Sequence, residues 1–573
     1  MKRLLAVLVV SLLAASCRAK GEKLFTYATT GEVTSLDPVF PYDGDSQGLL
    51  FNVYETLIAF EGASNERLIP KLSLQVPSRE NGLISKDGRT YRFPIRKDVT
   101  FHDGKVLTPE DVRYSLLRFM LVDRDGGPSS LLLEPILGLS STRKDGKLVV
   151  DFAEAAKAVA VRGDEVVVTL KRPFAPFLAI MARWSYVMNR AWAKEKGDWD
   201  GTAAGWEKFN NPKAEDTKFF AEGNGTGPFM VERWDRSGRR VILKRHDGYW
   251  RGPAKFERVV QTAIPEFATR KLLLQGGDAD IIAVPRPFLT QLEGMKGVVI
   301  LDGLPRLLSD PALFFTMSIN AQGNPDLGSG KLDGDGIPPD FFADKEVRRA
   351  FAHSFDYDAF IKDVFRGKAK RAVSAVPPGI PGFDGRVPSY SHDLKEAEAI
   401  LRKVRGGAVW EKGFRFTLTY NTGGDVRLAA CQILKKNVEA LNPKFRIDLR
   451  GVDWAAFLDR AQRGVMPMWA RGWTADFPDA HNFVFPFYHR DGRYAKVQGF
   501  KDAQLDAWID QAVGETDPAK RAALYSKIAR RAYDEVPSIL TAHPPGVYAM
   551  RDDVQGFYDN AVLMGVDFYP LHR

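Results

Sequence analysis

The chain has little cysteine, no long apolar run and no recognisable catalytic signature. Its 573 residues contain only two cysteines, Cys17 and Cys431. A disulfide framework is therefore excluded, as is any Cys-x-x-Cys metal or redox motif. Beyond the first residues, no stretch approaches eighteen uninterrupted apolar residues, so the body is expected to be soluble. No Lys/Arg block marks a nucleic-acid groove, although the net charge is +9. The phosphate loop, His-Glu-x-x-His and Gly-x-Ser-x-Gly are all missing. The eight histidines are scattered, and neither His481 nor His489 has companions at zinc spacing. Asp333-Gly334-Asp335-Gly336 lacks the length and the glutamate of a calcium loop. The expectation is a non-enzyme with no metal and no cofactor.

What is present begins with a leader. Lys2-Arg3 is followed by a short apolar segment, Leu4 to Leu13, and then by Ala14-Ala15-Ser16-Cys17. This is a signal peptide over 1–16, and its end is similar to a bacterial lipobox. Cys17 is the expected lipidation site, and 17–23 reads as a polar tether. Membrane attachment through that lipid places the protein outside the cytoplasm, on the bacterial cell membrane or outer membrane.

The length exceeds what one hydrophobic core usually supports, so two or three domains are expected. Strand-like and helix-like segments mix along the chain, giving an α/β class. Leu24 to Ala28 reads as a strand, as do Val166 to Leu170 and Arg239 to Arg245. Thr108-Pro109-Glu110-Asp111 announces a helix: a cap, a proline at the first position, and two acids at the positive end of the dipole. Asp344, Asp502 and Asp517-Pro518 start further helices. Residues 321–340, rich in Gly, Asp and Pro, read as a surface loop.

One carboxylate stands out. Asp476 lies in Trp469-Ala470-Arg471-Gly472-Trp473-Thr474-Ala475-Asp476-Phe477-Pro478-Asp479, and more aromatic residues follow. A carboxylate removed from water among aromatic rings is costly unless a cation or hydrogen-bond donors meet it. The partner is Arg471, a backbone cap, or the amine of a ligand. A plain turn aspartate is the alternative.

Several segments, in order, resemble the oligopeptide- and dipeptide-binding proteins of ATP-driven importers, the extracellular solute-binding proteins of family 5. They are Ser35-Leu36-Asp37-Pro38, Asn52 to Leu57, Asp87-Gly88 through Ser115, Gly225 to Phe229, Tyr249-Trp250, Val347 to Phe351 and Trp473 to Asp479. The resemblance implies a two-lobed periplasmic-binding-protein fold of the type II-like class with an extra domain. Lobe I would comprise 24–57, 186–310 and 538–573, the extra domain 58–185, and lobe II 311–537. A strand over 314–320 would follow one hinge crossing.

The same resemblance implies a function: a short peptide held in a closing cleft and passed to permease subunits by a protein acting as a monomer. Asp476 would pair with the peptide's amino terminus. Tyr42, Asp43 and Gly44 would lie along its backbone, and Trp473 and Trp454 would flank it. Arg471 is a further candidate contact, but Arg460, Arg463 and Arg471 all lie off the positions of the family's arginines for the peptide carboxylate. The alternative cargo is a non-peptide amine, a metal chelate, haem or a sugar in the same fold.

Overall fold

The computed structural model describes residues 23–573. The leader and the expected lipid site at Cys17 lie outside the described residues. Two sheets organise the chain. The first has seven strands, in the order Val298–Leu304, Gly546–Arg551, Ile281–Ala283, Leu24–Thr29, Arg258–Ala263, Arg240–Arg245 and Phe229–Asp235. Leu24–Thr29 runs parallel to both of its neighbours. Its Phe25 and Ala28 are completely buried, as expected for a strand covered on both faces.

The second sheet has five strands, in the order Phe445–Val452, Phe414–Asn421, Met468–Thr474, Leu308–Phe315 and Ser538–Leu540. The strand expected over 314–320 thus starts earlier, at Leu308. Its pairing with Met468–Thr474 is interrupted between Ser309 and Ala312, next to Pro311, which has no N–H to offer a ladder. Ser538–Leu540 pairs with Ala312, Leu313 and Phe314, so the second sheet extends past residue 537.

The chain passes between the sheets twice. It leaves the first after Leu304 and enters the second at Leu308, then leaves after Leu540 and re-enters the first at Gly546. The two passages lie side by side. Leu304 is opposite Gly546 in one sheet and Ala312 is opposite Leu540 in the other. Pro305 stands in the first passage, and Pro544 and Pro545 stand in the second.

The segment from 58 to 185 adds a three-stranded sheet, Thr90–Pro94, Glu165–Thr169 and Val159–Arg162, with helices against it. The helix announced by Thr108-Pro109 spans Pro109–Val122. The Thr108 hydroxyl accepts from the Asp111 N–H, and the Asp111 carboxylate accepts from the Thr108 N–H. Two otherwise orphaned donors are satisfied at once. The far side of this helix holds Arg118, which donates two hydrogen bonds to Asp37 at 2.6 and 2.7 Å and one to Asp198 at 2.7 Å. All three side chains are buried. The Asp37-Pro38 motif is thereby fixed to the helix, and with it the loop that runs on to Tyr42.

Other helix starts fall where the capping residues indicate. Asp344, Asp502 and Asp517 each accept a first-turn N–H, for helices Lys345–Ser354, Ala503–Gly514 and Pro518–Glu535. Cys431 is completely buried in helix Asp425–Leu441, and burial pushes its thiol pKa far up. It is an inert core residue. Among the described residues, no helix is long and apolar enough to cross a membrane.

Candidate functional site

Met468–Thr474 is the central strand of the second sheet. Its Trp469 is buried against Phe314, with ring centroids 4.3 Å apart. Beyond Thr474 the chain turns through Ala475 and Asp476 into helix His481–Tyr488. Asp479 accepts from the His481 N–H at 2.8 Å and receives two hydrogen bonds from Arg521. The N-cap residue Ala480 has no side chain to cap the helix, Asp479 accepts the first helical N–H, and Asp476 accepts no backbone N–H at this turn among the described residues.

Asp476 is 5% exposed. The Tyr42 hydroxyl donates to its Oδ2 at 2.8 Å, and the Asn482 amide donates to the same oxygen at 3.1 Å. The Asp476 N–H donates to Asn482 Oδ1 at 2.8 Å, and Trp473 Nε1 donates to that same atom at 3.1 Å. The Trp184 indole donates to the Asp476 carbonyl at 2.9 Å. Tyr42, distant in sequence, and the nearby Asn482 thus hold the carboxylate, while Trp184 from a third stretch holds its backbone carbonyl.

Its donors are neutral. Burial drives the Asp476 carboxyl up from the ordinary carboxylate range, and the charge of Arg183 opposes this most, followed by the Tyr42 and Asn482 hydrogen bonds. Arg183 itself is turned to backbone, donating to the carbonyls of Ala475 and Val562. Among the described residues, no cation forms a salt bridge with Asp476. The sequence left Arg471 open as its partner, and that reading is corrected here. The Arg471 guanidinium sits 5.0 Å from the Trp454 ring and 5.2 Å from the Tyr494 ring. Aromatic faces attract it there.

A cavity of about 370 Å³ opens at Asp476. Its wall includes Tyr42, Asp43, Gly44, Trp454, Arg471 and Trp473, so the residues singled out from the sequence meet on one surface. They come from both sheets' surroundings. Tyr42 and Asp43 precede helix Gly44–Val53, whose first turn Asp43 caps by accepting from the Ser46 N–H at 2.8 Å. Trp454 opens helix Trp454–Gln462. It is 45% exposed and stacks on Phe457 at an interplanar angle of 4°, so it is a cavity wall and not core. Arg460 and Arg463 are engaged elsewhere, with Asp326 and Asp459.

Sequence reasoning missed Asn482, Arg183 and Trp184, which hold or face Asp476, and Arg493 and Tyr494, which line the same cavity, Arg493 with a charge that favours the ionised Asp476. Asn482 had a signal, six residues after Asp476 at the start of a helix. The others did not, because their relation to Asp476 exists only in the folded chain.

A cavity of this size, walled by aromatic rings with a few fixed polar groups, has the character of a small-ligand site. Two sheets joined by a double crossing, with that cavity walled by helix Gly44–Val53 and its leading loop on one side and the central strand of the second sheet on the other, define a two-lobed binding protein. Residues 79–495 match the family described as bacterial extracellular solute-binding proteins, family 5 Middle, and the chain belongs to that family. It is 26% identical over 572 residues to the dipeptide-binding protein of Escherichia coli (strain K12), covering 96% of this chain and 94% of that one. It is 24% identical over 550 residues to heme-binding protein A of Haemophilus influenzae, covering 94% and 90%. The fold superposes with a TM-score of 0.74 on the periplasmic binding protein DppA of Helicobacter pylori in complex with the peptide STSA. That match is at 22% identity and covers 96% of this chain and 98% of that one. The family consists of solute-binding transport proteins, not enzymes.

Proposed function

We propose that this protein is the substrate-binding lipoprotein of an importer, capturing short peptides by their free amino terminus. The observation that carries this reading is the state of Asp476: a buried carboxylate on a cavity wall, bonded by neutral donors and unpaired with any protein cation among the described residues. An ammonium group supplies the charge it lacks, in a site where low dielectric makes the attraction strong. Trp473 and Trp454 flank the ligand, Tyr42, Asp43 and Gly44 lie along its backbone, and Arg471 is a further contact. Lobe I is placed at 24–57, 186–304 and 546–573, the extra domain at 58–185, and lobe II at 308–540, since Leu308 and Ser538–Leu540 belong to the second sheet. Binding shifts an open–closed equilibrium toward the closed form. That form presents the cargo to the permease, with Cys17 holding the monomeric protein at the membrane.

A second reading keeps the fold and changes the cargo to a non-peptide amine, a metal chelate, haem or a sugar; the relative named for haem favours a non-peptide cargo, although haem itself has no amine for Asp476 to meet. Mass spectrometry of whatever co-purifies with the native protein separates the two. A ladder of short peptides supports the first reading, and a single small molecule overturns it. Calorimetry adds a direct check: acetylating the amino terminus of a bound peptide abolishes the Asp476 contact and lowers affinity.

A further inference from the structure

A second cavity of about 550 Å³ adjoins the Asp476 cavity, and the two share Gly44, Thr474 and Met564 as wall. Its charged wall groups are Asp45, Asp310, Arg286 and Arg306. Three of these are answered within the protein. Arg286 donates to Asp302 at 2.7 Å, Arg306 pairs with Asp559, and Asp310 receives two bonds from Arg427 at 3.0 Å.

Asp45 has no ion pair among the described residues. Its Oδ1 accepts from the Thr29 hydroxyl. Its Oδ2 lies against Gly31, where an added Cβ would sit 2.1 Å from that oxygen. Asp45 sits in the first turn of helix Gly44–Val53, where the dipole favours an acid, but the first-turn N–H is already accepted by Asp43, so the Asp45 side chain is not held by the cap. Beside it stand Tyr27 and Tyr548, whose rings meet edge to face at 6.3 Å. Burial raises the Asp45 carboxyl above its ordinary range; the Thr29 bond opposes this and the charge of Asp43 adds to it. A half-buried carboxylate beside aromatic rings, on the wall of an open cavity, is a receptor for a cation.

We propose that this cavity is a second ligand subsite, in which Asp45, with Tyr27 and Tyr548, receives a cationic side chain of the bound peptide. The cargo is then a class of peptides carrying lysine or arginine downstream of the amino terminus. This deepens the peptide reading and rests on it.

The test is calorimetry on the full chain with alanine tri- and tetrapeptides. Each position after the first is replaced in turn by lysine or by norleucine, which keeps the stem and drops the charge. At one position, lysine binds about tenfold or more tighter than norleucine. Asp45→Asn, which retains an acceptor for Thr29, abolishes that preference and leaves the all-alanine peptide bound as before. Equal affinity for lysine and norleucine at every position, with the alanine peptides bound, overturns the subsite and leaves the peptide reading intact. If no peptide binds, the peptide reading falls and 1,5-diaminopentane decides the subsite. Binding to wild type that weakens about tenfold in Asp45→Asn sustains it, and no binding overturns it.

Discussion

The Tyr42 hydroxyl donates a 2.8 Å hydrogen bond to Asp476 Oδ2 across 434 residues of sequence. It joins the loop that leads into the first helix to the turn that leaves the central strand of the second sheet. Tyr42→Phe removes this donor and leaves the rest of the ring. The carboxylate keeps Asn482 as its one remaining side-chain donor, so the variant loses about 1.5–3 kcal/mol of stability at neutral pH, the range for a hydrogen bond to a charged group. Urea denaturation reads the loss, and an unchanged midpoint and slope count against the bond.

Removing the charge itself acts on binding. Asp476→Ala weakens capture of a free-amino peptide by about 2–5 kcal/mol, as for a truncated partner in a buried charge pair. Titration calorimetry on the variant measures it. Affinity equal to wild type removes Asp476 from the site.

The pH dependence follows from the direction of the Asp476 shift. In the empty protein its folded pKa is raised above an unfolded value of about 3.9. The stability it contributes is present while the group is protonated and is lost as pH rises through the folded pKa. A bound ammonium favours the ionised form and reverses that preference. Peptide affinity therefore falls as pH drops through the raised pKa, and binding in that window releases a proton. Calorimetry repeated in buffers of different ionisation enthalpy detects the proton. Affinity that holds steady from neutrality down to the ordinary carboxylate range contradicts the assignment.

Arg118 supports a separate prediction. Its guanidinium answers both Asp37 and Asp198 in a region without solvent. Arg118→Ala leaves two buried carboxylates uncompensated and costs about 3–5 kcal/mol. Chemical denaturation checks this, and a loss below about 1 kcal/mol, the surface-pair range, shows that water reaches the acids.

Much of the local structure was legible in the sequence. Thr108-Pro109-Glu110-Asp111 announced its helix because every element of an N-terminus is local: cap, proline and acid lie within four residues. The aromatic turn at Asp476 was legible for the same reason. What encloses Asp476 was not. Trp184 reaches its carbonyl, and Arg183 that of the preceding Ala475, each from 292 residues away, and no periodicity or spacing encodes that approach. Arg471 illustrates the opposite error. Closeness in sequence suggested a pairing, but alternation along strand Met468–Thr474 and the faces of Trp454 and Tyr494 turn its guanidinium elsewhere. The start of the strand at Leu308 was hidden because Asp310-Pro311 reads as a break, while the interruption in its ladder accommodates both residues.

The two passages between the sheets have a mechanical consequence. Strands flanking them run beside each other on both sides, Val298–Leu304 with Gly546–Arg551 and Leu308–Phe315 with Ser538–Leu540. A single strap would leave the halves free to swivel and sway in every direction. Two straps clamped side by side at each end resist twist and sideways shear, which leaves bending to the unpaired passages holding Pro305, Pro544 and Pro545. Relative movement of the halves is reduced to one angle. Under the proposed closing mechanism, a ligand that narrows the gap at Asp476 narrows it along the whole cleft in fixed proportion, so the position of one residue on one lip reports the position of every residue on the other.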